Sequence, residues 1–243
     1  MALGRVTVPT SSAWASTASM PRLVTLDALG TLVELDNPFG RLAAELDVPY
    51  DVARRALRAE MAHYREHHDI ASDAAGLARL RDDCTEVLRE ALGGSPLAHE
   101  DLLAALLAAL HFRPFPEIPG VLRELRAAGV ALVVVSNWDV SLHEVMERTG
   151  LRTLVDAVLT SAETGEAKPG GAMFRAALEL SGVRPAHALH AGDSLEHDVA
   201  GALAAGTRAV LVDRDGTAGP VPDGVAVVRD LRGTIAPATY PAP

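Results

Sequence analysis

The stretch VLRELRAAGVALVVVSNWDVSLHEVMERTG, residues 121–150, places one unbroken apolar run, Val130 to Val135, between two segments with helical spacing, Val121 to Ala128 and Val140 to Thr149. A valine-rich run with no polar face must be covered on both sides, which is the condition of a parallel strand packed between helices. It ends in Ser136 and Asn137, the first polar side chains after the strand.

The same pattern recurs on either side. Arg22 to Leu26 is a short β-prone run ending in Asp27, and Ala28-Leu29-Gly30-Thr31 breaks it with a turn. Val155 to Thr160 is followed by a Gly-containing loop reaching Lys168-Pro169, then by the helical stretch Gly171 to Leu180. His187 to His190 ends in Ala191-Gly192-Asp193 and leads into a helix over Leu195 to Ala205; Arg208 to Val212 ends in Asp213. Strands alternating with helices predict an α/β fold, a doubly wound parallel (Rossmann-like) sheet, in which ligands sit outside the carboxyl ends of the strands. Asp27, Ser136, Lys168 and Asp193 gather at those ends.

One interruption breaks the alternation. Pro38 to Leu46, Asp51 to His68, Asp73 to Leu92 and His99 to Leu110 are dense in helix-forming Ala, Leu, Arg and Glu, with no strand between them. The expected organisation is an α/β core of residues 21–36 and 112–243, with residues 37–111 inserted as a smaller all-helical domain. The Pro-rich HFRPFPEIPG, residues 111–120, returns the chain to the sheet, and a last short strand is expected near Val225 to Val228. Residues 1–20, rich in Ser, Thr and Ala, read as a disordered tail, with Met20 a candidate translation start.

Composition excludes several classes. The chain of 243 residues carries a net charge of −10, against the basic patch a nucleic-acid footprint requires. Its one cysteine, Cys84, cannot form an intrachain disulfide, and no apolar run approaches the ~20 residues of a membrane span. A cytoplasmic protein, monomeric or homodimeric, with no nucleic-acid or membrane partner is expected. Of the 22 basic residues 21 are arginine; the single lysine is Lys168. Where arginine serves as the general surface cation, a lone lysine marks a place suited to a compact ammonium and not to a broad guanidinium fork. Asparagine occurs only at Asn37 and Asn137.

Asp193 and Asp198, from GDSLEHD, can be helix-capping groups, which explains one carboxylate better than two. With Asp27 they would place three carboxylates against one lysine, a formal −2 that suits a hard cation such as Mg²⁺. On the helix Asp51 to His68, His63 and His67 share a face and read more readily as a solvated polar surface than as a metal pair. Arg54, Arg55, Arg58, Tyr64 and Arg65 are candidates to hold an anionic substrate, and Cys84 reads as structural.

The segments LDALGTL, VVSNWD, AKPG and AGDSLEHDVAGALAAG, in this order at the strand ends, resemble the haloacid dehalogenase-like (HAD) hydrolase superfamily, subfamily IA with a C1 helical cap. The resemblance spans roughly residues 22–215 and is similar to that of HAD-like hydrolase domain-containing proteins. It implies that Asp27 is a nucleophile oriented by Thr31, that Ser136 and Asn137 bind substrate, and that Lys168 stabilises the nucleophile and the developing charge. It also implies a Mg²⁺ site made by Asp27, the backbone carbonyl of Leu29 and Asp193, with Asp198 acting through water.

The first motif departs from the superfamily's phosphatases, which carry a proton-transferring Asp where this chain has Leu29. Haloacid dehalogenases tolerate such a residue, because halide leaves without a proton, but they lack the acidic pair Asp193 and Asp198. The expected activity is therefore that of a Mg²⁺-dependent phosphohydrolase acting on a small phosphorylated metabolite through an aspartyl-phosphate. The alternatives are a 2-haloacid dehalogenase, or a weakly active regulatory protein of the same fold.

Overall fold

The computed structural model describes residues 20–234; the expected tail lies almost wholly outside the described residues. Six strands form one sheet: β1 (Leu23–Leu26), β4 (Ala131–Ser136), β5 (Ala157–Thr160), β6 (Ala188–Gly192), β7 (Arg208–Val212) and β8 (Ala226–Val228). Their order is β5-β4-β1-β6-β7-β8 and every pairing is parallel. The chain winds outward from β1 to β5, then returns to the other side of β1 for β6. Such a reversal opens a crevice at the carboxyl ends of the central strands.

Burial follows the pleat. Val24 and Leu26 point into one apolar layer and Leu23 into the opposite one. The first layer is covered by helices α5 (Ile118–Ala127) and α6 (Leu142–Arg148), through Val121, Leu125, Val145 and Met146. The second is covered by α8 (Ala172–Ser181) and the short α9 (Ala200–Ala204), through Met173, Phe174, Ala177 and Ala202. All six residues of β4 are buried, as a strand covered on both faces requires.

The inserted segment folds as α1 (Pro38–Leu46), α2 (Tyr50–His67), α3 (Ala74–Ala91) and α4 (His99–Ala109). These helices enclose their own apolar cluster, including Leu42, Leu57, Leu80, Leu88, Leu102 and Leu106. Each such side chain contributes about 1.5–3 kcal/mol on burial, so the block carries a core independent of the sheet. Asn37 starts α1 in the left-handed region and accepts a hydrogen bond from Gly40 N; Asp73 caps α3 through Gly76 N at 2.7 Å. Polar links join the block to the strand ends: Val140 N donates to Ala71 O, and Ser161, opening the one-turn helix α7 (Ser161–Thr164), donates to Asp69 Oδ1 at 2.6 Å.

Two expectations are corrected. Residues 111–120 hold more than a return linker: β3 (Phe112–Pro114) pairs antiparallel with β2 (Val33–Leu35), and α5 begins at Ile118. Three-residue strands are too short to show a period, and this pair closes only when the helical block brings its ends together. The expected helix over Leu195 to Ala205 opens instead as a wider, π-type turn over Leu195–Val199 before α9. Among the described residues no helix is long and apolar enough to cross a membrane.

Candidate active site

The turn after β1 is built from its own backbone. Ala28 O accepts hydrogen bonds from the N–H groups of Thr31, Leu32 and Val33, while Gly30 N donates to Val33 O at 2.8 Å. Gly30 has φ +82°, a conformation that favours glycine, and a Cβ there would collide with the Asp193 carboxylate. Gly192 is held to glycine in the same way by Asp198. The two glycines thus let two carboxylates approach the backbone beside Asp27. From the loop after β7, Arg214 reaches back to the turn: Nε donates to Gly30 O at 3.0 Å and Nη2 to Thr31 O at 2.7 Å. Its guanidinium stacks on Phe115 and pairs with Glu117.

At the centre lies Lys168. Its Nζ donates to Asp27 Oδ1 at 2.6 Å, to Asp198 Oδ1 at 2.6 Å and to Val135 O at 2.9 Å, so all three ammonium hydrogens have acceptors. The side chain is 2% exposed. Ser136 Oγ donates to the same Asp27 oxygen at 3.0 Å. Both bonds to Asp27 end on Oδ1, and Oδ2 accepts no hydrogen bond among the described residues. Asp198 is engaged on both oxygens: Oδ1 also accepts from His190 Nε2 at 3.0 Å, and Oδ2 accepts from Ser194 N at 2.9 Å.

Charge is unbalanced here. Burial pushes the Asp27 carboxyl upward, Lys168 pulls it down and Asp198 adds a further upward push, for a net rise. Asp198 is also buried, but Lys168 and His190 together hold it below the usual carboxylate range. Lys168 loses by burial and gains more from Asp27 and Asp198, so its ammonium is held charged. Asp193, at the mouth, has no cation hydrogen-bonded to it among the described residues: desolvation and then the charges of Asp27 and Asp198 outweigh the more distant Lys168 and push it up to about 7.

This is the chemistry of a cation site. Oxygens of Asp27, Asp193 and Asp198 lie within 4.8 Å of one another, and hard oxygen donors of this kind suit Mg²⁺. Asp27 and Asp193 fit as holders of such an ion. Asp198 has protein donors on both oxygens and stands behind the other two, a placement compatible with the expected contact through water. A cleft of about 480 Å³ opens beside Asp193, lined also by Gly30, Glu34, Phe115 and Arg214.

Other expected residues are placed differently. Thr31 is wholly buried, and its hydroxyl has no hydrogen-bond partner among the described residues, so the bond expected toward Asp27 is not formed. Asn137 lies beside the cluster but turns both ends of its amide to the Lys168 peptide: Nδ2 donates to Lys168 O at 2.9 Å and Oδ1 accepts from Lys168 N at 2.6 Å. That clamp holds the lysine backbone through one Nδ2 hydrogen and the amide oxygen, and it does not use the second Nδ2 hydrogen. Leu29 is 45% exposed on the turn beside Asp27. His63 and His67 stack at 4.1 Å, and Cys84 is buried within the helical block.

Thr25, His190 and Arg214 were missed by sequence reasoning. Thr25 and His190 carry a signal in retrospect, as polar residues inside two apolar strands; they are register partners on β1 and β6. Arg214 carries none, being one arginine among 21.

Residues 21–206 match the family model of the haloacid dehalogenase-like hydrolases. The chain belongs to that family. It is 32% identical over 215 residues to haloacid dehalogenase-like hydrolase domain-containing protein 3 of Bos taurus, covering 83% of each chain. It is 40% identical over 133 residues to a phosphoserine phosphatase of Thermus thermophilus, 53% of each chain. Among solved structures it is similar to a 2-haloacid dehalogenase from Pseudomonas syringae pv. Tomato, with TM-score 0.62 and 22% identity over 89% of this chain and 98% of the other, a likeness of fold. As a HAD-like hydrolase with phosphatase-named relatives, the chain is an enzyme of the hydrolase class.

Proposed function

We propose that this HAD-like hydrolase is a Mg²⁺-dependent phosphohydrolase acting on a small phosphorylated metabolite, in the cytoplasm, as a monomer or homodimer. The observation that carries the reading is the charge deficit around Asp27: three carboxylates against Lys168, with Asp193 raised to about 7. A site that discharges so much negative potential into one lysine calls for a divalent cation and a substrate group that shares it.

In this reading Asp27 Oδ2 attacks phosphorus, the bond to the leaving oxygen breaks, and the leaving group departs with the electron pair. A covalent carboxylate intermediate splits one difficult displacement into two easier ones. Water then attacks the phosphorus of the aspartyl-phosphate, releasing inorganic phosphate and restoring Asp27. Lys168 favours the ionised form of Asp27 against the effect of burial and offsets the growing negative charge, a preorganised electrostatic role. Ser136 shares Asp27 Oδ1 with Lys168 and can turn its hydroxyl to a phosphoryl oxygen, while Asn137 keeps the Lys168 peptide in place. Mg²⁺, held by Asp27, Asp193 and the Leu29 carbonyl, supplies charge neutralisation when bound. The helical block 37–111 acts as a cap over the strand ends.

Leu29 cannot protonate a leaving oxygen, and general acid–base catalysis is typically worth ~10² to 10⁴-fold. Acyl and aryl phosphates, whose leaving groups need no proton, are therefore the preferred substrates. The same residue favours a second reading, displacement of halide from a 2-haloacid without a metal, which the paired acids Asp193 and Asp198 oppose by repelling an anionic substrate unless a cation neutralises them. Assays of acetyl phosphate, p-nitrophenyl phosphate and 2-chloropropionate with and without Mg²⁺ separate the two. Phosphate release abolished by EDTA and by Asp27→Asn supports phosphoryl transfer; metal-independent chloride release supports the dehalogenase.

A further inference from the structure

We infer that His190 is a positioning residue, which fixes the orientation of Asp198 and through it the placement of Lys168 against Asp27. His190 is wholly buried in β6, between Leu189 and Ala191, where an apolar side chain would pack without cost. Both ring nitrogens are engaged. Nε2 lies 3.0 Å from Asp198 Oδ1 and Nδ1 lies 2.9 Å from Thr25 Oγ1, while the ring meets Phe174 edge-on, with centroids 5.0 Å apart.

The proton count follows from the partners. A carboxylate oxygen only accepts, so Nε2 carries a hydrogen; Nδ1 can then accept the Thr25 hydroxyl proton at 2.9 Å, a shorter contact than that hydroxyl's alternative acceptor, Leu189 O at 3.4 Å. Thr25 and His190 face each other in register across β1 and β6, so the ring's orientation is set by the sheet itself. The result is a buried chain of hydrogen bonds running Thr25, His190, Asp198, Lys168, Asp27. Asp198 Oδ1 receives two donors, Lys168 and His190, at about equal reach. Without the imidazole the carboxylate keeps Lys168 on one oxygen and Ser194 N on the other, with one lone pair unsatisfied in a buried site, a costly state. It relieves that state by turning, and Lys168 moves with it away from Asp27. Nothing in a purely structural role would require a donor at this position; an aromatic hydrocarbon ring would satisfy the contact with Phe174.

The activity part of the test rests on the phosphoryl-transfer reading, so a second measurement stands apart from it. In the full chain, His190→Phe keeps an aromatic ring but donates nothing, whereas His190→Gln can place an amide N–H near the Nε2 position. The expected result with acetyl phosphate is a fall in kcat of order 10- to 100-fold for H190F with KM little changed, the usual scale for loss of a supporting hydrogen bond. H190Q should recover most of that loss. Equal activity of H190F and H190Q, or no loss in either, would overturn the inference. Independently, ¹⁵N-histidine NMR of the wild-type chain should show the His190 proton on Nε2, with a resonance that moves in Asp198→Asn; a proton on Nδ1 alone would overturn it. If the wild-type chain turned over no phosphate ester, the phosphoryl reading would fall and the NMR result would still decide His190.

Discussion

The Lys168 ammonium stands 2.6 Å from a carboxylate oxygen of Asp27 and 2.6 Å from one of Asp198, with all three side chains at most 10% exposed. A buried cation shared by two buried anions supports the fold only while all three partners are present. Lys168→Met should therefore destabilise the chain by about 3–5 kcal/mol near neutral pH, the cost of leaving a buried charge unpaired. Lys168→Arg should also lose at least ~10²-fold in kcat, because a planar fork does not fit between two carboxylates and the Val135 carbonyl. Thermal melts and phosphate release measure the two effects, and a K168R enzyme as active as the parent would refute the argument.

If Asp193 holds the proposed Mg²⁺, metal binding should depend on pH. Its folded value of about 7 lies above the ordinary 3.8, so the metal-free fold loses stability as pH rises through that interval and the carboxylate is forced to ionise. In the proposed site Mg²⁺ would bind the ionised form and displace the proton below pH 7. Calorimetric titration should find Mg²⁺ affinity weakening about tenfold per unit below pH 6 and levelling above pH 8. Added Mg²⁺ should raise Tm more at pH 8 than at pH 5.5. Asp193→Asn should remove this pH dependence; if it persists in that variant, another group controls the ion.

Arg214 holds two successive carbonyls of the turn that follows Asp27. Arg214→Ala should cost about 1.5–3 kcal/mol, the scale of hydrogen bonds to a charged group. Hydrogen exchange should accelerate at the amides of Gly30 to Val33, with Arg214→Lys intermediate because an ammonium is a point donor and not a fork. Unchanged exchange in R214A would show that the backbone bonds to Ala28 O suffice.

In the helical block, Glu60 is 3% exposed and burial pushes its carboxyl to about 7, against the ordinary 4.5. Between those values the folded chain retains a proton that the unfolded chain has released, so stability falls as pH rises through the window. Above it the loss is complete, roughly 3 kcal/mol at ~1.4 kcal/mol per pKa unit. Glu60→Gln should melt above the parent at pH 8 and close to it at pH 4. Equal melting temperatures at pH 8 would mean that Glu60 finds a compensating partner.

Leu29→Asp places an acid on the turn beside Asp27. Hydrolysis of alkyl phosphates should rise by ~10²-fold or more while p-nitrophenyl phosphate, with its good leaving group, gains much less. A uniform gain on both substrates would argue that residue 29 acts on something other than the leaving oxygen.

The strands themselves and the residues at their ends were legible in the chain because both depend on short-range pattern, whereas the order of the strands in the sheet was not. Valine runs such as 130–135 must be buried on two faces, and polar residues that stop them land at the carboxyl edge. The single lysine was legible for a related reason, since a residue kept against the drift to arginine signals a local demand. The β2–β3 pair was not, because its partners are separated by the whole helical block and carry no period of their own.

The sequence by itself determined the α/β class and the inserted helices, and singled out Asp27, Ser136, Lys168, Asp193 and Asp198 as candidates that the fold brings together. Only the tertiary structure decided how they divide the work: Asp198 turned inward to Lys168 and His190, Asp193 left at the mouth with a raised pKa, Asn137 turned to the Lys168 backbone, Thr31 turned away from Asp27. The reason is that a hydrogen bond depends on direction and on competing donors within a few ångströms, and those are set by strands and loops far apart in the chain.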